Sequence, residues 1–281
     1  MPCATTDGYD ADVKLLRVVL IALGLLVVAA AAWLWWARPQ QVEMATYVPQ
    51  DTLLYLEADS LPDIVNELTS TSAWHTLAPA AGVRENLPNH DFLLGLAKWT
   101  GIGSAEAVIY SRAQVAVAVL GVDAKEERES ALQISPRLVI VVETQTSEAR
   151  IEKALRSFVG DFARRNYGDP KFERSEHDGA TFLVWAAPEG GRKIVAAVND
   201  TVAYVGNDED AVKACLDVRR GARPSLAADP ELAPMRRRVG ADDALAFGYV
   251  PRAGTPKLAQ IAALVAAGQS SAGAKEQSAL A

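Results

Sequence analysis

Residues Val18 to Ala37 read VVLIALGLLVVAAAAWLWWA, 20 consecutive positions without a charge. As a helix rising ~1.5 Å per residue, this run spans about 30 Å, the thickness of a bilayer's hydrocarbon core. Lys14 and Arg17 precede it and Arg38 follows. Trp33, Trp35 and Trp36 gather at its far end, where indole rings favour the lipid–water interface, and Pro39 stops the helix. The run predicts an uncleaved membrane anchor. A cleaved signal peptide competes, because Ala30-Ala31-Ala32 offers a small-x-small site. Against it, the apolar run continues past that site through Trp36, beyond the usual hydrophobic region of ~7–15 residues. A buried core helix is the third reading, but such helices are rarely this uniform.

The flanks set the expected orientation. Lys14 and Arg17 lie close before the span and Arg38 alone after it, while Asp7, Asp10 and Asp12 count for little. A short tail ahead of a large following domain is commonest with the N-terminus in the cytoplasm. The expected layout is a cytoplasmic tail 1–17, a transmembrane helix 18–37, a connector 38–50, an extracytoplasmic domain 51–267 and a flexible tail 268–281. Cys3 and Cys215 would then lie on opposite sides of the bilayer and could not pair. Cys215 shares an apolar helical face with Ala211, Val212 and Leu216 and is expected to be buried.

Composition excludes several classes. Half the residues are hydrophobic and 22% are charged, too apolar a balance for a disordered chain. A net charge of −7 opposes nucleic-acid binding. Two cysteines cannot build a disulfide scaffold.

Strand-like runs are expected at 52–57, 108–110, 114–122 and 137–142, followed by Thr181–Ala187, Arg192–Val198, Thr201–Val205 and Ala244–Val250. Asp123–Ser130 is densely charged and predicts a loop tip. Helices are expected after Ser60, at Asp91–Trp99, Glu148–Arg165, Asp208–Val218, Pro230–Val239 and Pro256–Ala267. In Glu148–Arg165 the residues Ile151, Ala154, Leu155, Phe158, Val159 and Phe162 form one 3.6-period stripe, which makes Phe158 a predicted core position. Strands adjoin strands and helices come in groups. That order predicts an α+β fold with a largely antiparallel sheet covered by helices. Three segments, beginning TLLYLEADS, LVIVVETQTS and TVAYVGNDE, each read as strand, polar turn and helix.

Chemical signatures are sparse. There is no G-x-S-x-G and no P-loop, and Gly101 and Gly103 lack the third glycine of a dinucleotide fingerprint. His75, His90 and His177 share no helical turn, so no metal site is expected. Asn207-Asp208-Glu209-Asp210 lacks a calcium loop's central glycine and distal glutamate, and reads as a helix cap. Arg236-Arg237-Arg238 and the group Arg219, Arg220 and Arg223 read as solvated helix ends, with anionic lipid headgroups as the functional alternative. No catalytic, cofactor-binding or metal-binding residue is therefore assigned.

Three stretches carry a family resemblance: Val48 onward as VPQDTLLYLEADSLPD, TGIGSAEAVIYSRAQVAVAV, and VAYVGNDEDAVKACL followed by SLAADPEL. Over roughly residues 45–250 the chain resembles a bacterial family, domain of unknown function 3352. The resemblance implies one membrane span, an α+β domain exposed to the cell envelope and a place in the bacterial inner membrane. It carries no activity or catalytic residues to transfer. Members are often longer, which implies that a missing second half would leave the helix Pro256–Ala267 with an apolar face for a partner. The first functional expectation is a non-enzymatic, membrane-anchored interaction domain with an envelope protein as partner. The second is a module for a small apolar or lipidic ligand walled by Trp74, Trp99 and Trp185. The third is a hydrolase of unrecognised type.

Overall fold

The computed structural model describes residues 22–33, 35, 40–71, 104–127, 131–241 and 244–260. Its strands are β1 (Leu54–Ala58), β2 (Gln114–Glu127), β3 (Ala131–Glu143), β4 (Lys171–His177), β5 (Ala180–Ala186), β6 (Lys193–Asn199), β7 (Val202–Gly206) and β8 (Phe247–Tyr249). Its helices are α1 (Leu61–Ser70), α2 (Ala105–Arg112), α3 (Glu148–Tyr167), α4 (Glu209–Arg219) and α5 (Leu232–Val239). The strands make one sheet in the order β4-β5-β6-β7-β3-β2-β1-β8, every described pairing antiparallel. The α+β class with an antiparallel sheet and helices is as the element order predicts.

Alternation of side chains sends successive residues to opposite faces. On one face Tyr55, Ala116, Ala118, Val139, Val141, Val195 and Tyr204 meet Val212, Cys215 and Leu216 of α4. On the other, Leu183, Trp185, Ala196 and Val205 meet Leu155, Val159, Ala163 and Tyr167 of α3. Ile151 of α3 joins Val198 and Ala203 there. Gly206 ends β7, paired with Val139 of β3. A Cβ there would lie 2.7 Å from the Leu138 carbonyl oxygen and 3.1 Å from Val212 Cγ2, so the strand closes against α4 only without a side chain. All three strand–turn–helix segments are realised, as β1–α1, β3–α3 and β7–α4. Because β7 runs antiparallel to β3, α4 starts from the opposite end of the sheet to α3.

Several expectations are corrected. Residues 108–110 belong to α2, whose first turn is capped by the Ser104 hydroxyl accepting from the Ala107 N–H at 3.2 Å; so short an apolar run cannot tell strand from helix. Asp123–Glu127 extends β2 rather than forming a loop tip, paired as far as Glu127↔Ala131. Strand β4 was not anticipated: all seven residues are exposed, so no hydrophobic alternation marks it. The α3 stripe is rotated from its predicted phase. Ile151, Ala154, Gly160 and Ala163 are buried, whereas Phe158 and Phe162 are 59% and 56% exposed.

Among the described residues no helix is long and apolar enough to cross a membrane. The run Val18–Ala37 lies partly outside them; its described part, 22–33 and Trp35, is helical and exposed at every position. The expected helix Asp91–Trp99 lies outside the described residues, as does Pro256–Ala267 beyond residue 260. Residues 40–50, expected to be a polar connector, pack into the first face instead. Met44, Ala45, Tyr47 and Val48 are buried there, four apolar residues that outweigh the neighbouring Gln and Glu.

The corrected phase of α3 gives a direct comparison. Ile151→Ala is expected to lower unfolding free energy by about 2–4 kcal/mol, whereas Phe158→Ala should change it by no more than about 0.5 kcal/mol. Denaturant titration of the two variants measures both.

Candidate functional site

Among the described residues, polar side chains gather in a network under residues 40–50, in an ion pair and along two clefts. The network begins with Gln114, which is buried at the start of β2 opposite Glu143 of β3. The Gln114 side-chain amide accepts from the Val42 N–H at 2.7 Å, donates to the Val42 carbonyl at 3.1 Å and donates to Asp59 at 2.9 Å. Glu143 is 3% exposed and has both oxygens engaged. One accepts from the Tyr47 hydroxyl at 2.9 Å and the other from the Gln145 N–H at 3.0 Å. The guanidinium of Arg219 lies 5.2 Å above the Tyr47 ring, within reach of a cation–π contact. Burial, reinforced by the charge of Glu143, pushes the Tyr47 hydroxyl up to about 12.

The ion pair joins Glu57 of β1 to Arg236 of α5. Glu57 is 5% exposed, and its second oxygen accepts from the Tyr55 hydroxyl at 2.6 Å. Arg236 also stacks over Phe247 at 5.3 Å. Burial raises the Tyr55 pKa well above the usual phenol range. A solvated helix end was expected for Arg236; it is instead drawn into the sheet by a carboxylate that would otherwise be buried alone.

The first cleft, of about 350 Å³, lies between α3 and β4–β5. Phe172 and Trp185 form its aromatic wall, their ring centroids 5.3 Å apart, and the Arg156 guanidinium stands 5.0 Å over Phe172. Gly160 of α3 faces Trp185; a Cβ there would lie in ordinary contact, 3.6 Å from Trp185 Nε1. The second cleft, of about 510 Å³, is lined by Asp51, Arg223, Asp229 and Arg252. Its walls are held by Arg223 on Asp51 at 3.0 Å and by the Tyr249 hydroxyl donating to Asp229 at 2.9 Å.

The remaining sequence candidates have structural partners. Asp208 caps α4 by accepting from the Ala211 N–H at 2.9 Å. Asn207 stitches β7 to β3, accepting from the Leu138 N–H at 2.9 Å and donating to the Pro136 carbonyl at 2.7 Å. Arg220 pairs with Asp178 at 2.6 Å. His177 Nε2 lies 3.3 Å from Asp178, whose backbone has a positive φ of 52° in the turn between β4 and β5. Both are exposed. Cys215 is 0% exposed, and burial pushes its thiol up to about 12, so it is no thiolate nucleophile. Among the described residues no group of three or more His, Cys, Asp and Glu is placed to hold a metal ion. His75, His90, Trp74, Trp99, Gly101, Gly103 and Cys3 lie outside the described residues. No family model matches the chain, and neither a curated protein nor a solved structure matches it.

Two outcomes test the polar interior. Arg236→Ala, which strands the Glu57 charge, is expected to cost about 3–5 kcal/mol, and adding Glu57→Leu should recover most of it. Tyr47 binds its proton more tightly folded than unfolded, so its share of stability is intact below pH ~10 and is lost as pH rises through about 12. Equilibrium unfolding across that window should show a fall of about 2–3 kcal/mol from this group, which Tyr47→Phe removes.

Proposed function

We propose that the protein is a single-pass, membrane-anchored interaction domain without enzymatic activity, held outside the cytoplasm of a bacterial cell. The observation that carries the reading is the uncharged run Val18–Ala37. Leu23, Leu25, Leu26, Val27, Val28 and Trp33 within it are exposed large hydrophobics. A row of such side chains is unfavourable in water and at home in lipid. The resemblance to the domain of unknown function 3352 family points the same way.

The non-enzymatic part rests on how the reactive groups are engaged. Glu57 and Glu143 have both carboxylate oxygens in structural bonds, and the Cys215 thiol is neutral and enclosed. Phe158 and Phe162 stand one turn apart on the outer side of α3 and offer a partner apolar anchors. A second reading, a binding module for a small ligand, is favoured by the aromatic wall of Phe172 and Trp185 in the first cleft.

Membrane fractionation of the full chain tests the anchor. The protein is expected to stay with the membrane through alkaline carbonate and to leave only with detergent; release by carbonate alone refutes it. For the domain, photo-crosslinkers at positions 158 and 162 in intact cells should trap a protein partner that a crosslinker at Glu173 does not. A small molecule that co-purifies with the wild-type protein and is lost from Phe172→Ala would favour the cleft instead.

A further inference from the structure

We infer that residues 40–48 fix one defined end of the sheet against the lipid headgroups, with the opposite end projecting from the bilayer. This rests on the anchor reading above. Gln40 and Gln145 exchange two hydrogen bonds: the Gln40 N–H donates to Gln145 Oε1 at 3.0 Å, and Gln145 Nε2 donates to the Gln40 carbonyl at 2.6 Å. Two residues on, Val42 exchanges the same pair with the Gln114 amide. Two side-chain amides thus copy the pairing of a β-ladder on successive alternate residues. The Tyr47–Glu143 bond follows, and then the Leu226 N–H donates to the Val48 carbonyl at 2.7 Å. From residue 40 onward the chain has no slack.

Covalent reach does the rest. Trp35 and Gln40 are five residues apart, no more than about 18 Å even when fully extended. A tryptophan at the lipid–water interface therefore keeps Gln145 close to the headgroups. The tethered end of the sheet contains Ala58, Gln114, Glu143, the turn at Asp200 and the first turn of α3. Glu43, Asp59, Asp63 and Asp200 are exposed near it, but so are Arg150 and Arg219, the latter paired with Asp200, so charge does not single out this end; the short covalent path does.

The opposite end is defined as clearly. Beyond Val119 and Leu138, where β1 and β7 stop pairing, β2 and β3 continue as a two-stranded ribbon to Glu127 and Ala131. At about 3.3 Å per residue its tip lies on the order of 40 Å from Gln114. In the proposed docking this ribbon is the part of the sheet farthest from the headgroups.

The test uses the full chain with Cys3→Ser, leaving Cys215 enclosed and unlabelled. One fluorophore is attached at Ser147→Cys, beside the tethered end, or at Asp123→Cys, on the ribbon; both side chains are exposed. The protein is reconstituted in zwitterionic vesicles with and without nitroxide-headgroup lipid. Quenching is expected to be several-fold stronger at 147 than at 123, and Gln145→Ala with Gln114→Ala should narrow the ratio. Equal quenching, or stronger quenching at 123, in protein that resists carbonate extraction overturns the docking alone. Protein that carbonate strips from the vesicles overturns the anchor reading and the docking with it.

Discussion

A primary amide enclosed within a protein must satisfy two donors and an acceptor or forfeit the free energy of leaving them bare. Gln114 meets that demand by seizing both backbone groups of Val42 and reaching Asp59. The chain's path across the sheet follows from this bond. With Val42 fixed, the turn Met44–Tyr47 lies on the sheet face and its apolar side chains close the gap beside α4. With Tyr47 in place, the Glu143 carboxylate finds its partner and Arg219 finds a ring to cover. Take the amide away and Tyr55, Val139, Val141 and Tyr204 lose part of their roof.

The two sheet faces solve different problems. The face under α3 is nearly all apolar, with Trp185 as its largest member set against the small residues Gly160, Ala163 and Ala196. The face under α4 carries charge into the interior at Glu57 and Glu143, and in each case a tyrosine hydroxyl and an arginine come with it. Such arrangements contribute little net stability, because desolvation offsets attraction, but they penalise any packing that separates the partners. They select one arrangement of residues 40–50, α4 and α5 over the sheet.

What could be read from the sequence divides along physical lines. Helices α3 and α4 are legible because their apolar residues recur at a helical period, and strands β5–β7 because short apolar runs, buried on both faces, are bounded by turn residues. The outer end of β2, Asp123–Glu127, and the edge strand β4 give no such signal, since Asp-Ala-Lys-Glu-Glu and Lys-Phe-Glu-Arg-Ser-Glu-His hold too few apolar residues to set a period. The phase of α3 was misjudged because six apolar positions fit one stripe better than the helix needs, and a small residue, Gly160, occupies the true centre. The polar interior was hidden for another reason. Nothing near Arg236-Arg237-Arg238 reveals that the first of the three answers a carboxylate at residue 57, and nothing near Gln114 foretells Val42. Those are long-range agreements, and a local pattern holds no trace of them.

The exposed strand β4 alternates Lys171, Glu173, Ser175 and His177 with Phe172, Arg174 and Glu176, and it closes one side of the sheet. A bare, oily rim there would let neighbouring copies zip into fibres. Lys171, Glu173, Arg174 and Glu176 keep this open edge solvated, so joining it to the edge of another copy would mean stripping water from a row of charges.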